Sequence, residues 1–394
     1  MNDYFDMESV LTPEQMEMRE SLQKLCENYG DDYWLDRDQT GEFPEDFVQK
    51  LAEHGWLGLN TPVEYGGSGL GITEGAVLTQ TISESGGGIA ALSSTSHPIF
   101  GLNPVIKFGR PDQIERMVPP VIQRKEITCF GVTEPNTGLD TTKLKTRAEK
   151  VGNKYIVNGQ KIWTSTAQHA TKILLIARTT PIEKTKRPID GLSLFYTNFD
   201  RNYIEVRQIE KMGRKASDSN QVFFDGLPIP EDDLIGEEGK GFYYLLHGLN
   251  PERILVAAGA VGLGRAAIRK AVQYAKERIV FNRPIGQNQG IQHPLAECWA
   301  ELEAANLMTF KAANLYDQGH DVGHYANAAK YLAAEAGFKA CTQAVMTHGG
   351  MGYAKEFHVE RYLREIMIPR LAPVSAQLIL CYIAEKVLGL PKSY

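Results

Sequence analysis

The chain has 394 residues, 43% of them apolar, and its 42 Lys and Arg against 48 Asp and Glu leave a net charge of −6. That length and apolar share support a large core divided over two or three structural layers. The acidic balance speaks against nucleic acid or an anionic membrane as the main partner.

No run of about 18 apolar residues is read in the sequence, so no membrane-spanning segment is expected. The opening Met1-Asn-Asp-Tyr-Phe-Asp6 has neither the basic nor the apolar region of a secretory signal. The five cysteines (Cys26, Cys129, Cys298, Cys341, Cys381) are odd in number and lack CxxC spacing. They read as reduced thiols, most of them core residues, and the expected location is cytoplasmic.

Residues 1–127 read as helical. Thr12-Pro13-Glu14-Gln15 carries a helix-opening pattern: a capping hydroxyl, proline in the first turn and an acid near the positive end of the helix. The glycine-dense Gly66–Gly71 lacks the Lys-Ser/Thr of a phosphate loop and no clear strand precedes it, so it reads as a connection between helices.

Residues 128–238 change texture. Ile127–Val132, Lys154–Val157, Ile173–Ala177 and Gln221–Phe224 favour strands, with Asn158-Gly159, Asp190-Gly191 and Asp225-Gly226 as turn signals. No long helical pattern interrupts them, which predicts an antiparallel barrel or sandwich rather than a doubly wound sheet. Residues 239–394 are helical again. Ile254–Glu277, Leu295–Asp317, Ala326–Thr347 and Gln377–Leu388 carry apolar residues at helical spacing and predict a bundle. The expected fold class is thus mainly α with a central antiparallel β domain.

Four segments in this order carry a resemblance: Phe130-Gly-Val-Thr-Glu-Pro-Asn-Thr-Gly-Leu-Asp140, Gly159-Gln-Lys-Ile-Trp-Thr-Ser165, Glu277-Arg-Ile-Val-Phe281 with Gln289, and His348-Gly-Gly-Met-Gly-Tyr353. Together they resemble the acyl-CoA dehydrogenase family over nearly the whole chain. The resemblance implies an N-terminal helical domain, a β middle domain and a C-terminal four-helix bundle. It implies an FAD-dependent enzyme that desaturates an acyl-CoA thioester between its α and β carbons and passes electrons to an electron-transfer flavoprotein.

By the same resemblance Phe130, Val132 and Thr133 meet the pyrimidine side of the flavin, where N–H and O–H dipoles suit the charge of the reduced ring. Leu139 stands where the family usually has a serine. Trp163 and Ser165 match residues against the flavin and near its N5, although a tryptophan at a strand end also reads as core. Arg278, Phe281 and Gln289 match a segment that reaches the FAD of a neighbouring subunit, a guanidinium suiting the diphosphate. Asn282 replaces a common glycine there. Gly349 and Gly350 match a loop beside the adenosine, Met346 replaces a glutamine, and Ser375 and Gln377 match positions near FAD. A homodimer or tetramer follows from this shared site. No metal site is expected.

Pro373 occupies the position where the commonest members carry the catalytic glutamate, and it supplies neither a carboxylate nor an N–H. Some members place that glutamate before an arginine at the start of the first bundle helix, which here is Asn250-Pro251-Glu252-Arg253. Glu252 is the candidate base, with a pKa raised by desolvation. Its competing reading is an acid that merely complements a helix dipole. Arg253 and Asn250 match CoA-contacting positions. His97 reads as a loop residue or as a lining of the acyl pocket. Pro373 and Leu139 leave open a relative with oxidase or non-oxidative lyase chemistry, and a DNA-binding relative is a third reading that the acidic charge opposes.

Overall fold

In a computed structural model the residues described are 5, 7 and 10–393. The Met1–Asp6 opening, Phe5 apart, lies outside them. Among its described residues the first segment holds seven α-helices: α1 (Pro13–Cys26), α2 (Asp31–Thr40), α3 (Glu45–Glu53), α4 (Ile72–Ile82), α5 (Gly88–Ser96), α6 (Asn103–Phe108) and α7 (Pro111–Ile122). Helix α1 begins as its sequence predicts. The Gln15 N–H donates to Thr12 Oγ1, and the Thr12 N–H donates to Gln15 Oε1 at 3.0 Å. Gly66–Gly71 is a connection, and its last residue precedes α4.

Eight strands follow: β1 (Thr128–Gly131), β2 (Arg147–Val151), β3 (Lys154–Ser165), β4 (Lys172–Arg178), β5 (Leu192–Asn198), β6 (Ile204–Gln208), β7 (Ser219–Pro230) and β8 (Leu234–Ile235). They form one sheet in the order β6-β7-β3-β2-β4-β5-β8, with β1 beside β4. Most pairings are antiparallel as expected, but β1 runs parallel to β4 and β2 meets β4 in one parallel bridge, so the sheet is mixed. Strand β4 explains its unbroken apolar run. Ile173, Leu175 and Ala177 enter a core within the sheet, while Leu174 and Ile176 pack on the opposite side with α6 and α7. No helix separates the strands beyond single 3-10 turns.

Asn158-Gly159 is not a turn. Strand β3 continues through it, and its pairing with β7 shifts register between Val157 and Gly159. A Cβ on Gly159 would lie 2.6 Å from Thr146 Oγ1 and 2.7 Å from the Thr146 Cα, so this glycine serves close backbone approach at a bulge. The turn before β3 instead uses Gly152 at φ 62.

The last segment contains α8 (Gly241–Glu277), a short hairpin of β9 (Ile279–Val280) and β10 (Arg283–Pro284), α9 (Gln289–Asp317), α10 (Gly323–His348), α11 (Val359–Leu371) and α12 (Ala376–Tyr382). Alanine and glycine let these helices approach closely. A Cβ on Gly264 of α8 would lie 2.6 Å from Leu302 of α9 and 3.2 Å from the Gly337 Cα of α10. The end of α9 also caps α4, because the Asp317 carboxylate accepts the Ile72 and Thr73 N–H groups at 2.7 and 2.8 Å.

Two expectations change here. Helix α8 starts at Gly241 and runs through Pro251, so Glu252 stands inside a 37-residue helix rather than at its start. A first-turn dipole role for Glu252 is thereby excluded. Second, an 18-residue stretch within Val359–Val387 has a mean hydropathy of 1.6, apolar enough to cross a membrane, and 17% of it is buried. Its backbone is divided at Ala372–Ser375 into α11 and α12.

Candidate functional site

A cavity of about 1010 Å³ opens where α5, the strand ends of the sheet, α8, the start of α10 and the α11–α12 connection meet. Its lining includes Phe130, Val132, Thr133, Leu139, Trp163, Ser165, Asn250, Glu252 and Arg253, so nine residues singled out from the sequence converge on one space. His97 and Pro373 line it as well.

Trp163 sits at an irregularity in β3, where the register with β7 shifts between Lys161 and Thr164, and its backbone adopts φ 62. For a bulky residue this left-handed conformation is strained and is held only by its surroundings. Trp163 is 57% exposed and lines the cavity, which excludes the core reading. An uncovered indole with the Thr133 and Ser165 side chains in the same wall offers a flat apolar face and hydroxyl donors, and this suits an aromatic ring system with polar edges. The flavin of FAD fits these residues.

Glu252 is half-buried and its accessible surface faces the cavity. Its carboxylate has no hydrogen bond among the described residues; desolvation raises its pKa to about 7, against the opposing charges of Arg253 and Lys330. Arg253 Nη1 donates to Asn250 Oδ1 at 2.9 Å, while its Nε is buried without a partner. Lys330 is buried on α10 and donates to the Val374 carbonyl at 2.5 Å, which ties α10 to the connection holding Pro373. The site therefore has an ionisable carboxylate poised near neutrality beside a guanidinium with an open N–H.

His97 stacks near Phe130 with ring centroids 4.9 Å apart, and its Nδ1 lies 3.3 Å from Thr166 Oγ1. Burial, then the Arg214 charge, lowers its pKa to about 4, so the ring is neutral at physiological pH. It is a packed residue of the cavity wall rather than a surface-loop histidine.

The remaining sequence candidates lie elsewhere. Arg278, Phe281, Gln289, Met346, Gly349 and Gly350 are exposed and line no part of the cavity. They gather at one end of the bundle, where Tyr274 near the end of α8 stacks on His348 at the end of α10 with centroids 4.3 Å apart. Phe281 and Asn282 form the two-residue turn between β9 and β10 at φ 51 and 63. Asparagine tolerates this conformation better than most residues, which accounts for Asn282 in place of glycine. A Cβ on Gly350 would meet nothing within 4 Å, so that loop is open to an approaching group. Ser375 caps α12 by accepting the Leu378 N–H at 3.3 Å, and Gln377 is exposed; neither lines the cavity.

Sequence reasoning missed Arg214, Lys330 and the Glu134–Lys161 pair. Several of their partners are remote in sequence, Lys161 27 positions from Glu134, Val374 44 from Lys330 and Ser93 121 from Arg214, and no local pattern marks them.

Comparison with known proteins bears on the family of the whole chain. Residues 12–125, 129–227 and 239–385 match the N-terminal, middle and C-terminal domains of acyl-CoA dehydrogenase. The chain is 37% identical over 392 residues to the acyl-CoA dehydrogenase FadE12 of Mycobacterium tuberculosis (strain ATCC 25618 / H37Rv), covering 99% of this chain and 100% of that protein. It is 33% identical to an acyl-CoA dehydrogenase of Bacillus subtilis (strain 168), covering 89% of this chain and 92% of that one. The butyryl-CoA dehydrogenase structure from Megasphaera elsdenii superposes with a TM-score of 0.91 at 27% identity, covering 96% and 99% of the two chains. Among the described residues no cluster of metal-ligating side chains is present. The chain belongs to the acyl-CoA dehydrogenase family and is an FAD-dependent oxidoreductase acting on acyl-CoA.

Proposed function

We propose that this protein desaturates an acyl-CoA thioester to the trans-2-enoyl-CoA with Glu252 as the base. The observation that carries the reading is the Glu252 carboxylate, unpaired in the cavity with its pKa raised to about 7 by burial. Pro373 removes one acid from the C-terminal connection, and Glu252 reaches the same cavity from α8. Glu252 takes the α-proton onto its carboxylate oxygen. Bound FAD supplies the acceptor for the hydride from the β carbon. Arg253 and Asn250 hold the CoA portion, with the open Arg253 Nε available to a phosphate or carbonyl oxygen. Leu245, Leu249 and Val256 of α8 provide an apolar wall that excludes water from the acyl stem.

Phe130, Val132, Thr133, Leu139, Trp163 and Ser165 form the flavin side of the site in this reading. Arg278, Phe281, Gln289, Met346, Gly349, Gly350, Ser375 and Gln377 serve the cofactor from the bundle ends, the first six of them across a subunit boundary. Support for a homodimer or tetramer comes from apolar residues left uncovered there: Phe281 is 93% exposed, Tyr353 89% and Met346 69%. Leu371, Leu380 and Leu388 are exposed near the C-terminal helices too, and a partner subunit suits them as the occupant in place of a lipid bilayer. The physiological acceptor is an electron-transfer flavoprotein. A cytoplasmic location agrees with five cysteines, all free and four of them buried.

The test is anaerobic mixing of holoenzyme with a panel of acyl-CoAs while following flavin absorbance. Wild type is expected to bleach, whereas Glu252→Gln retains FAD and does not. Normal bleaching by the variant would remove Glu252 as base. Rapid reoxidation by oxygen with peroxide release would replace the flavoprotein acceptor by an oxidase reaction, and product without bleaching would indicate a lyase.

A further inference from the structure

Arg214 lies in the connection between β6 and β7 and lines the same cavity as Glu252. Its backbone is held at φ 55, and Lys211 Nζ fixes the loop by donating to the Arg214 carbonyl at 2.9 Å. The guanidinium has only hydroxyl partners. Nη1 donates to Ser93 Oγ at 3.0 Å, and Nη2 donates to Ser219 Oγ at 2.7 Å and Ser165 Oγ at 3.3 Å. Nε is buried with no partner.

No carboxylate forms an ion pair with Arg214 among the described residues. Glu365 and Asp218 act on it through space. Glu365 is engaged by Arg361 at 3.2 Å and by the Ala90 N–H at 2.9 Å, and Asp218 accepts the Gln168 N–H at 3.1 Å. They temper its charge without occupying its open N–H groups. A desolvated guanidinium in this condition is a receptor for an anion.

Glu252 enters the cavity from α8, with Arg253 and Lys330 as its opposing charges, whereas Arg214 enters it from the β6–β7 connection. Ile89 and Leu92 of α5 add hydrocarbon surface to the wall, and Ser93 and Ser96 add hydroxyls to it. His97, neutral, brings no competing positive charge.

We propose that the end of the acyl pocket at Arg214 receives a carboxylate, making the substrate an ω-carboxyacyl thioester, the half-thioester of a dicarboxylic acid. This rests on the acyl-CoA reading above. Apolar residues hold the methylene stem, and Arg214 with Ser93 and Ser96 binds the terminal carboxylate. The competing occupant of the guanidinium is the cofactor's own polar edge, because Ser165 borders both.

The experiment compares wild-type holoenzyme on pairs of CoA thioesters of equal chain length, one ending in methyl and one in carboxylate, over a series of lengths with a dye acceptor. The carboxylate-ended member is expected to have the higher kcat/KM by about 10-fold or more at the best length. In Arg214→Met that ratio is expected to fall about 10–100-fold, chiefly through KM. A wild-type preference for methyl-ended chains at every length overturns the proposal, and needs no variant to be folded. So does an Arg214→Met enzyme that loses both substrates equally with reduced FAD content or a shifted flavin potential, which would assign Arg214 to the cofactor. Failure of both thioester classes to bleach the flavin sinks the acyl-CoA reading itself, and the proposal with it.

Discussion

Lys161 Nζ lies 3.0 Å from Glu134 Oε1, and both side chains are buried. The pair joins β3, which carries Trp163 and Ser165, to the turn after β1, which carries Val132 and Thr133. Lys161 also donates to the Val132 carbonyl at 3.0 Å, and Glu134 accepts the Lys145 and Thr146 N–H groups at 2.7 and 2.9 Å. Burial alone would raise the Glu134 pKa, but Lys161 and these donors outweigh it and hold the carboxylate below its ordinary range. Burial brings Lys161 down to about 8, still protonated at neutral pH.

Removing one partner strands a charge in the interior. Glu134→Gln is expected to cost about 3–5 kcal/mol in denaturant unfolding and to weaken FAD retention, because both walls of the flavin side lose their brace. Glu134→Leu with Lys161→Met should recover most of the stability, since an apolar pair of similar volume carries no desolvation cost. A double variant as unstable as the single one would show that the brace acts through something other than charge burial.

The role proposed for Glu252 carries a pH dependence. The base acts ionised, so kcat/KM is expected to rise tenfold per pH unit below about 7 and to level off above it. Glu252→Gln should abolish this limb and lower turnover by about 10²–10⁴-fold. The stability sign is the reverse. With its folded pKa raised above the unfolded value, Glu252 favours the folded state most below pH 4.5, and that contribution is lost as pH rises through about 7. Ligand-free Glu252→Gln should therefore melt above wild type at pH 8 and close to it at pH 5. Equal melting differences at both pH values would show that Glu252 is not desolvated.

The bundle was legible because apolar spacing repeats over long helices, and β4 because both of its faces are buried. The start of α8 was misplaced since a proline ordinarily marks a helix boundary, yet tertiary packing carries Gly241–Glu277 through Pro251. Asn158-Gly159 has turn chemistry but serves a bulge, because its neighbour Thr146 lies where a Cβ would go. The motif residues around Trp163 were found by resemblance. Arg214 was not, since its cavity exists only once α5 and the β6–β7 connection meet.

Trp163 offers a test of backbone strain at the site. Its φ of 62 costs an L-residue about 1–2 kcal/mol, which glycine does not bear. Since the ring is largely uncovered, truncating it removes little core packing. Trp163→Gly is expected to be more stable than Trp163→Ala by about 0.5–1 kcal/mol after the entropy of glycine in the unfolded chain is set against the relief. Both variants should bind FAD more weakly, by titration of apoprotein. An alanine variant as stable as the glycine variant would mean the bulge relaxes when the indole is gone.

Phe281 stands at the tip of the β9–β10 turn with almost its whole surface uncovered, and the loop at Gly349 and Gly350 is likewise open. A large apolar side chain gains nothing from holding a left-handed backbone conformation in water, and the subunit contact proposed above would give Phe281 a place to be covered. Arg278, just before the same hairpin, would then present its guanidinium to the partner's cofactor rather than to its own cavity, which it does not line. Phe281→Ser with Tyr353→Ser is expected to shift the protein toward smaller species in analytical ultracentrifugation and to lower its FAD content in parallel. Arg278→Gln should lower FAD affinity about 10-fold or more while leaving the assembly size intact, because it removes a charged hydrogen bond and no apolar area. If the serine variant became monomeric yet kept its FAD, the site would be complete within one chain and Arg278 would have no cofactor to reach.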